Sequence, residues 1–173
     1  MKAHHSRIAV HQMDWPEPPL HVVLVHPEIP PNTGNVARLC AATGTRLHLV
    51  EPLGFKIDDK HLRRAGLDYW DSIQVEVHSD WEACLAALPQ PPRLHLFTTA
   101  SGRRFDGIRY APGDVLVFGS EGHGLPDELL AAYPDDWAGI PIRTDHVRSL
   151  NLSSSVAIAV YAALCQLSPP GQG

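Results

Sequence analysis

Three segments of the chain gather residue types that bind anions, flat ligands or hydroxyl groups. The first, His26-Pro-Glu-Ile-Pro-Pro-Asn-Thr-Gly-Asn-Val-Ala-Arg38, runs from a strand end through prolines into a helix start. Backbone N–H groups at a helix start attract anions, and Arg38, about one turn in, would aim a forked donor at the same place. A capped helix with a solvated Arg38 is the plain alternative. The second, Val117-Phe118-Gly-Ser-Glu-Gly-His-Gly-Leu-Pro126, breaks a buried strand into a loop with three glycines ahead of a helix. Such a loop lets a flat ligand lie against bare backbone, at the strand end where open α/β sheets bind ligands. No Gly-Lys-Ser/Thr follows and Gly-x-Gly-x-x-Gly is absent, so neither a phosphate loop nor a dinucleotide loop is present. Ser120 has Phe118 rather than glycine two residues before it, which argues against a nucleophile elbow. A simple tight turn is the competing reading. The third, Ile140-Pro-Ile-Arg-Thr-Asp-His-Val-Arg-Ser-Leu-Asn-Leu-Ser-Ser-Ser155, crowds Ser149, Asn151 and Ser153 at a helix N-terminus. One cap needs fewer hydrogen-bonding groups, and the surplus suggests a ligand.

Positioning these segments requires alternating strands and helices. Short apolar runs predict strands at His21 to His26, Arg46 to Val50, Ile73 to Val77, Leu94 to Thr98, Asp114 to Phe118 and Gly139 to Ile142. Amphipathic stretches predict helices at about Gly34 to Ala42, Asp80 to Leu88, Pro126 to Ala132 and Leu152 to Leu167. Asn32 or Thr33 can cap the first helix and Gly44 end it, and Asp80 can cap the second. The alternation is that of an α/β domain with a mostly parallel sheet. Residues 1–19 lack periodicity and are expected to form a flexible extension; 20–167 form a single domain and 168–173 a tail.

The 173 residues suffice for one ordinary domain, and a net charge of −5 argues against a uniformly basic nucleic-acid coat. Ten of the 14 basic residues nevertheless lie between Arg38 and Arg109. The densest run, Lys56, Lys60, Arg63 and Arg64, has Tyr69 and Trp70 close behind, a pattern suited to RNA phosphates and a stacked base. A solvated helix face with a buried Trp70 is the alternative. Cys40, Cys84 and Cys165 sit singly in apolar stretches and read as buried free thiols of a reducing cytoplasmic compartment. The 11 histidines show no His-Glu-x-x-His spacing, so no metal is expected. No stretch has the length and character of a signal peptide or a membrane span.

The three segments, in this order, resemble the SPOUT RNA methyltransferases, specifically the small tRNA 2′-O-ribose methyltransferases of the wobble cytidine or uridine. Pro-Glu-Ile-Pro-Pro-Asn-Thr-Gly-Asn, Phe-Gly-Ser-Glu-Gly-x-Gly-Leu-Pro and Arg-Ser-Leu-Asn-Leu-Ser carry the likeness, which spans about Leu20 to Leu167. Glu51-Pro-Leu-Gly54 and Leu62-Arg-Arg-Ala-Gly-Leu-Asp-Tyr69 also look like this subgroup. The resemblance implies a mostly parallel sheet flanked by helices, with a C-terminal deep trefoil knot. It implies S-adenosyl-L-methionine as cofactor, held by Phe97, Thr98, Gly119, Glu121, Ile140, Ile142, Ser149 and Leu150. It implies a homodimer through the last helix and a tRNA anticodon loop as substrate, most of all in leucine tRNAs, with another tRNA or rRNA position as the alternative. Arg38, Asn35, Ser149 and Asn151 then serve the reaction, while Lys56, Lys60, Arg63, Arg64 and Arg148 hold RNA. A non-catalytic RNA-binding module would leave the glycine loop unexplained. A small phosphotransferase would need a magnesium-ATP site for which no residues are evident.

Overall fold

The computed structural model describes residues 13–58, 60 and 73–170. Its strands are β1 (His21–Val25), β2 (Arg46–Val50), β3 (Val75–His78), β4 (Leu94–Phe97), β5 (Val115–Phe118) and β6 (Trp137–Ala138). They form one sheet in the order β3-β2-β1-β5-β4-β6, with every pair parallel. β1, β4 and β5 are buried at every position, because a parallel sheet with helices on both faces needs apolar residues throughout.

Alternation along the strands sorts the core into two halves. Val22, Leu24, Leu47, Leu49, Leu116 and Phe118 face α1 (Pro30–Thr43) and the C-terminal helix α4 (Leu152–Leu167). Val23, Val25, Val50, Leu96, Val115 and Val117 face α2 (Trp81–Ala87) and α3 (Asp127–Ala132). Each fully buried valine or leucine contributes about 1.5–3 kcal/mol relative to exposure. In α4 the buried set Val156, Ala159, Val160, Ala163 and Leu164 recurs at helical spacing, and its alanines let α1 approach closely. At the amino ends of β4 and β5 the buried Asp114 carboxylate meets His95 at 2.8 Å and Arg93 at 2.7 Å. Burial pushes that carboxyl up, but these hydrogen bonds and one from the Ala111 N–H outweigh it and hold it below the usual range.

Several boundaries differ from the sequence expectation. α1 begins at Pro30, four residues early, since proline at the first helical positions has no N–H to lose and a preset φ. Its N-cap is Ile29, without a side-chain cap of its own, rather than Asn32 or Thr33. Gly44 ends it as expected, at φ 69°. The third strand is shifted to Val75–His78, and the sixth is the two-residue Trp137–Ala138, not Gly139 to Ile142. Residues 13–19 belong to the body: Met13 packs on the core and the Asp14 N–H donates to Ser168 Oγ at 2.9 Å. Cys40 and Cys84 are buried, but Cys165 is exposed on α4.

Candidate active site

The sheet order reverses direction between β1 and β5, which is where an open α/β sheet leaves a crevice at its carboxyl edge. A cleft of about 620 Å³ lies there. Phe97 to Ala100 line it from the end of β4, Phe118 to Leu125 from the end of β5, and Ile140, Ile142 and Arg148 to Leu152 from the approach to α4. Ile29 and Asn32 close it from α1. Phe97 and Phe118, from adjacent strands, stack 4.6 Å apart beneath it.

The glycine loop is a closed unit. Ser120 and Gly124 exchange backbone hydrogen bonds of 3.2 and 2.9 Å, so the chain doubles back directly over Gly119. A Cβ on Gly119 would be driven into the backbone of Gly124 and Leu125. Gly124 supplies the left-handed residue of the turn, at φ 68°. From this loop Glu121 reaches the start of α1. Its Oε2 accepts from the Glu28 N–H at 2.8 Å, and its Oε1 from the Ile29 N–H at 3.1 Å and Asn32 Nδ2 at 3.2 Å. An anion does sit at this helix start, but it is the protein's own carboxylate. Asn32 in turn accepts from Asn151 Nδ2 through its Oδ1 at 3.0 Å, and Asn151 Oδ1 caps α4 by accepting from the Ser153 N–H at 2.9 Å. Glycine loop, α1 and α4 are thus locked together by one chain of side chains.

All eight residues expected at a cofactor, Phe97, Thr98, Gly119, Glu121, Ile140, Ile142, Ser149 and Leu150, line this one cleft. Both oxygens of Glu121 are engaged with α1, so any ligand it meets is met by a carboxylate already holding the helix. Ser149, Asn151 and Arg148 are on the lining too. Asn35 and Arg38 are not; both are exposed on α1, one and two i+3 steps beyond Asn32. The early start of α1 puts Arg38 in the helix's third turn, about 9 Å along the axis from Asn32, rather than one turn in. Lys56 and Lys60 are exposed and off the lining. Arg63, Arg64, Tyr69 and Trp70 lie outside the described residues. Asn32, read from sequence as a cap, is the hinge between Glu121 and Asn151. Its only sequence signal was membership of the first segment.

The chain is similar to known proteins over most of its length. A tRNA (cytidine(34)-2'-O)-methyltransferase of Burkholderia cenocepacia (strain HI2424) is 55% identical over 145 residues, which is 83% of this chain and 92% of the relative. A solved structure described for 2-OH methylation of C/U34 on tRNA superposes with a TM-score of 0.81 at 45% identity, covering 86% of this chain and 95% of that one. An AdoMet-bound rRNA methyltransferase from Sinorhizobium meliloti is more distant, at TM-score 0.72 and 25% identity over 83% of this chain and 55% of its own. Residues 19–161, nearly the whole described body, match the SpoU rRNA Methylase family, and the chain belongs to that family.

Proposed function

We propose that the chain transfers a methyl group from S-adenosyl-L-methionine to the ribose 2′-oxygen of the wobble cytidine or uridine of tRNA, chiefly leucine tRNA. The composition of the cleft, in a chain 55% identical to a tRNA (cytidine(34)-2'-O)-methyltransferase, carries this reading. Phe97, Leu125, Ile140, Ile142 and Leu150 offer apolar surface to a purine, and Thr98 and Ser149 offer hydroxyls. Among the described residues, Glu121 and Asp127 are the carboxylates on the lining and Arg148 its one guanidinium. A triphosphate would require more cations there, whereas a sulfonium nucleoside with an amino-acid tail fits an acidic, largely apolar wall. When bound, S-adenosylmethionine supplies the methyl group of its sulfonium centre.

The chain's own residues do the rest. Ser149 and Asn151 on the lining, with Asn35 on the adjacent helix, orient the ribose. Arg38 grips a neighbouring phosphate and stabilises the charge that develops on the 2′-oxygen. A guanidinium keeps its proton at neutral pH, so the ribose proton leaves through phosphate or water. Lys56, Lys60, Arg63, Arg64 and Arg148 hold the anticodon loop, a small exposed element that a short acidic chain can read without wrapping the whole tRNA. The substrate places the protein in the cytoplasm, and among the described residues no helix is long and apolar enough to cross a membrane.

The same reading includes a trefoil knot and a homodimer. Residues 139–151 cross the carboxyl ends of β4 and β5 between β6, at the sheet edge, and α4, which packs on α1; this crossing is where the knot would form. Val160, Ala163 and Leu164 of the last helix are buried within the chain's own core and leave its opposite face for a partner. The unburied stripe of α4 is Ile158 (38% exposed), Tyr161 (43%) and Cys165. That stripe forms the interface. Sedimentation at micromolar concentration should give about twice 19.0 kDa; a species of one chain's mass removes the dimer from the reading.

Methyl transfer to an isolated anticodon stem-loop tests the function. The stem-loop should accept a methyl group, and 2′-deoxyribose at the wobble position alone should stop transfer. Methylation that persists on the deoxy substrate places the modified atom elsewhere. The family's rRNA description favours a second reading, methylation at an rRNA position, and ribosomal RNA assayed beside tRNA separates the two.

A further inference from the structure

On the sheet face that carries α2, three imidazoles lie in a row across β1, β2 and β3. His21 Nδ1 is 2.9 Å from His48 Nε2, and His48 Nδ1 is 3.0 Å from His78 Nε2. The rings stack with centroids 5.2 and 5.3 Å apart, and all three are buried. From α2 the buried Cys84 reaches the same place: ligand atoms of His48, His78 and Cys84 lie within 4.8 Å of one another. Glu76, opposite His48 in the β2–β3 register, brings Oε2 to 3.9 Å from His78 Nε2. Two imidazoles, a thiol and a carboxylate are the donor set of a tetrahedral, borderline-soft divalent ion.

We propose that His48, His78, Cys84 and Glu76 form a structural Zn²⁺ site that pins α2 to the β2–β3 edge, with His21 orienting His48 from outside the coordination sphere. None of these residues lines the cleft, so the site stands apart from methyl transfer. In the tautomer where His48 Nε2–H donates to His21 Nδ1, the His48 Nδ1 lone pair is aimed at the cluster, the outer-shell arrangement that metal-bound histidines use. Two nitrogens on a tetrahedral zinc are roughly 3.3 Å apart, so the observed 3.0 Å between His48 and His78 needs little widening. The Cys84 sulfur, within 4.8 Å of both nitrogens, closes on the ion by rotation about its Cα–Cβ bond, and the Glu76 carboxylate, which meets His78 at 3.9 Å and lies outside the three-residue cluster, must swing farther in. Binding moves the His78 ring proton from Nε2 to Nδ1 and releases the thiol proton to solvent. A buried thiol gives up its proton when a cation takes the proton's place, so binding and proton release at Cys84 occur together. The sequence expectation of no metal relied on local spacing, whereas these ligands come from two strands and a helix.

The test uses the full chain, stripped with chelator and titrated with Co²⁺ and then Zn²⁺. One equivalent of Co²⁺ should bind with a thiolate-to-metal charge-transfer band in the near ultraviolet, and Zn²⁺ should displace it and raise Tm. Cys84→Ser should lose the band, His78→Gln should bind at least tenfold more weakly, and His21→Asn about tenfold more weakly. A wild-type chain with no band at stoichiometric Co²⁺, or a band that survives Cys84→Ser, overturns the proposal; in the second case exposed Cys165 is the thiol involved. If Cys84→Ser does not fold by circular dichroism, His78→Gln, at the rim of the cluster, decides through the same titration. Unchanged Co²⁺ affinity in that variant sinks the site.

Discussion

Arg38→Ala should lower methyl transfer to tRNA by at least about 10²–10³-fold, the typical effect of removing a donor that stabilises transition-state charge. Affinity for S-adenosylmethionine should stay within about twofold, because Arg38 is exposed on α1 and is not among the residues lining the cleft. The strip Asn32, Asn35, Arg38 explains this split. Asn32 belongs to the cleft through Glu121 and Asn151, and each i+3 step carries the next side chain farther toward where RNA must lie. Arg38→Lys should not restore the rate, since an ammonium keeps the charge but loses the planar fork that grips phosphate and oxygen together. Single-turnover transfer to the stem-loop, beside calorimetric cofactor titration of the same variants, reads both quantities. Near-normal turnover in Arg38→Ala would remove it from the reaction; a large loss of cofactor affinity would move it from RNA to the cofactor side.

The parts of this fold legible in the sequence are those set by neighbours in the chain. α4 spans Leu152–Leu167 as its apolar spacing predicts, and its Asn151 cap, the Asp80 cap of α2 and the Gly44 stop of α1 are contacts over a few residues. β6 was misplaced because its two residues pair only with β4, about 40 positions earlier, and carry no alternation of their own. The start of α1 was misread because Pro30 and Pro31 were taken as loop, although the first helical turn tolerates proline well.

The same distinction runs through the sites. The three segments around the cleft were visible as segments, and the fold gathers all eight proposed cofactor contacts at one sheet edge. What joins them was not visible. Glu121 caps a helix whose capped N–H groups lie 92 and 93 positions earlier, and Asn151 bonds Asn32 across 119. No local rule links a carboxylate in a glycine loop to a proline-led helix. The imidazole row was hidden likewise, since successive members are 27 and 30 positions apart on different strands. The anion-seeking helix start was physically correct, and only its partner was missing: the charge that answers it is internal.

Gly119→Val should weaken S-adenosylmethionine binding by at least about 10²-fold, for a reason that differs from simple obstruction of the cleft. The added side chain does not first meet a ligand; its Cβ is driven into the backbone of Gly124 and Leu125. The loop must open, breaking the paired Ser120–Gly124 hydrogen bonds and lifting Leu125 from its buried seat. Overpacking of this kind costs about 1–3 kcal/mol, which a domain of this size can survive while the loop is displaced. Displacement also carries Glu121 off α1, so the Glu28 and Ile29 N–H groups lose their acceptor and the Asn32–Asn151 contact loosens. Cofactor affinity and methyl transfer should therefore fall together, in contrast to Arg38→Ala. Gly44, away from the cleft, is the control: a Cβ there meets nothing within 4 Å, and its φ of 69° suits asparagine, so Gly44→Asn should cost no more than about 1 kcal/mol and keep the affinity. Calorimetric titration of both variants, with a thermal melt to show that each is folded, makes the comparison. A folded Gly119→Val chain with unchanged affinity would separate the glycine loop from the cofactor site, and a Gly44→Asn chain as impaired as Gly119→Val would show that general loss of stability rather than the Gly119 clash governs binding.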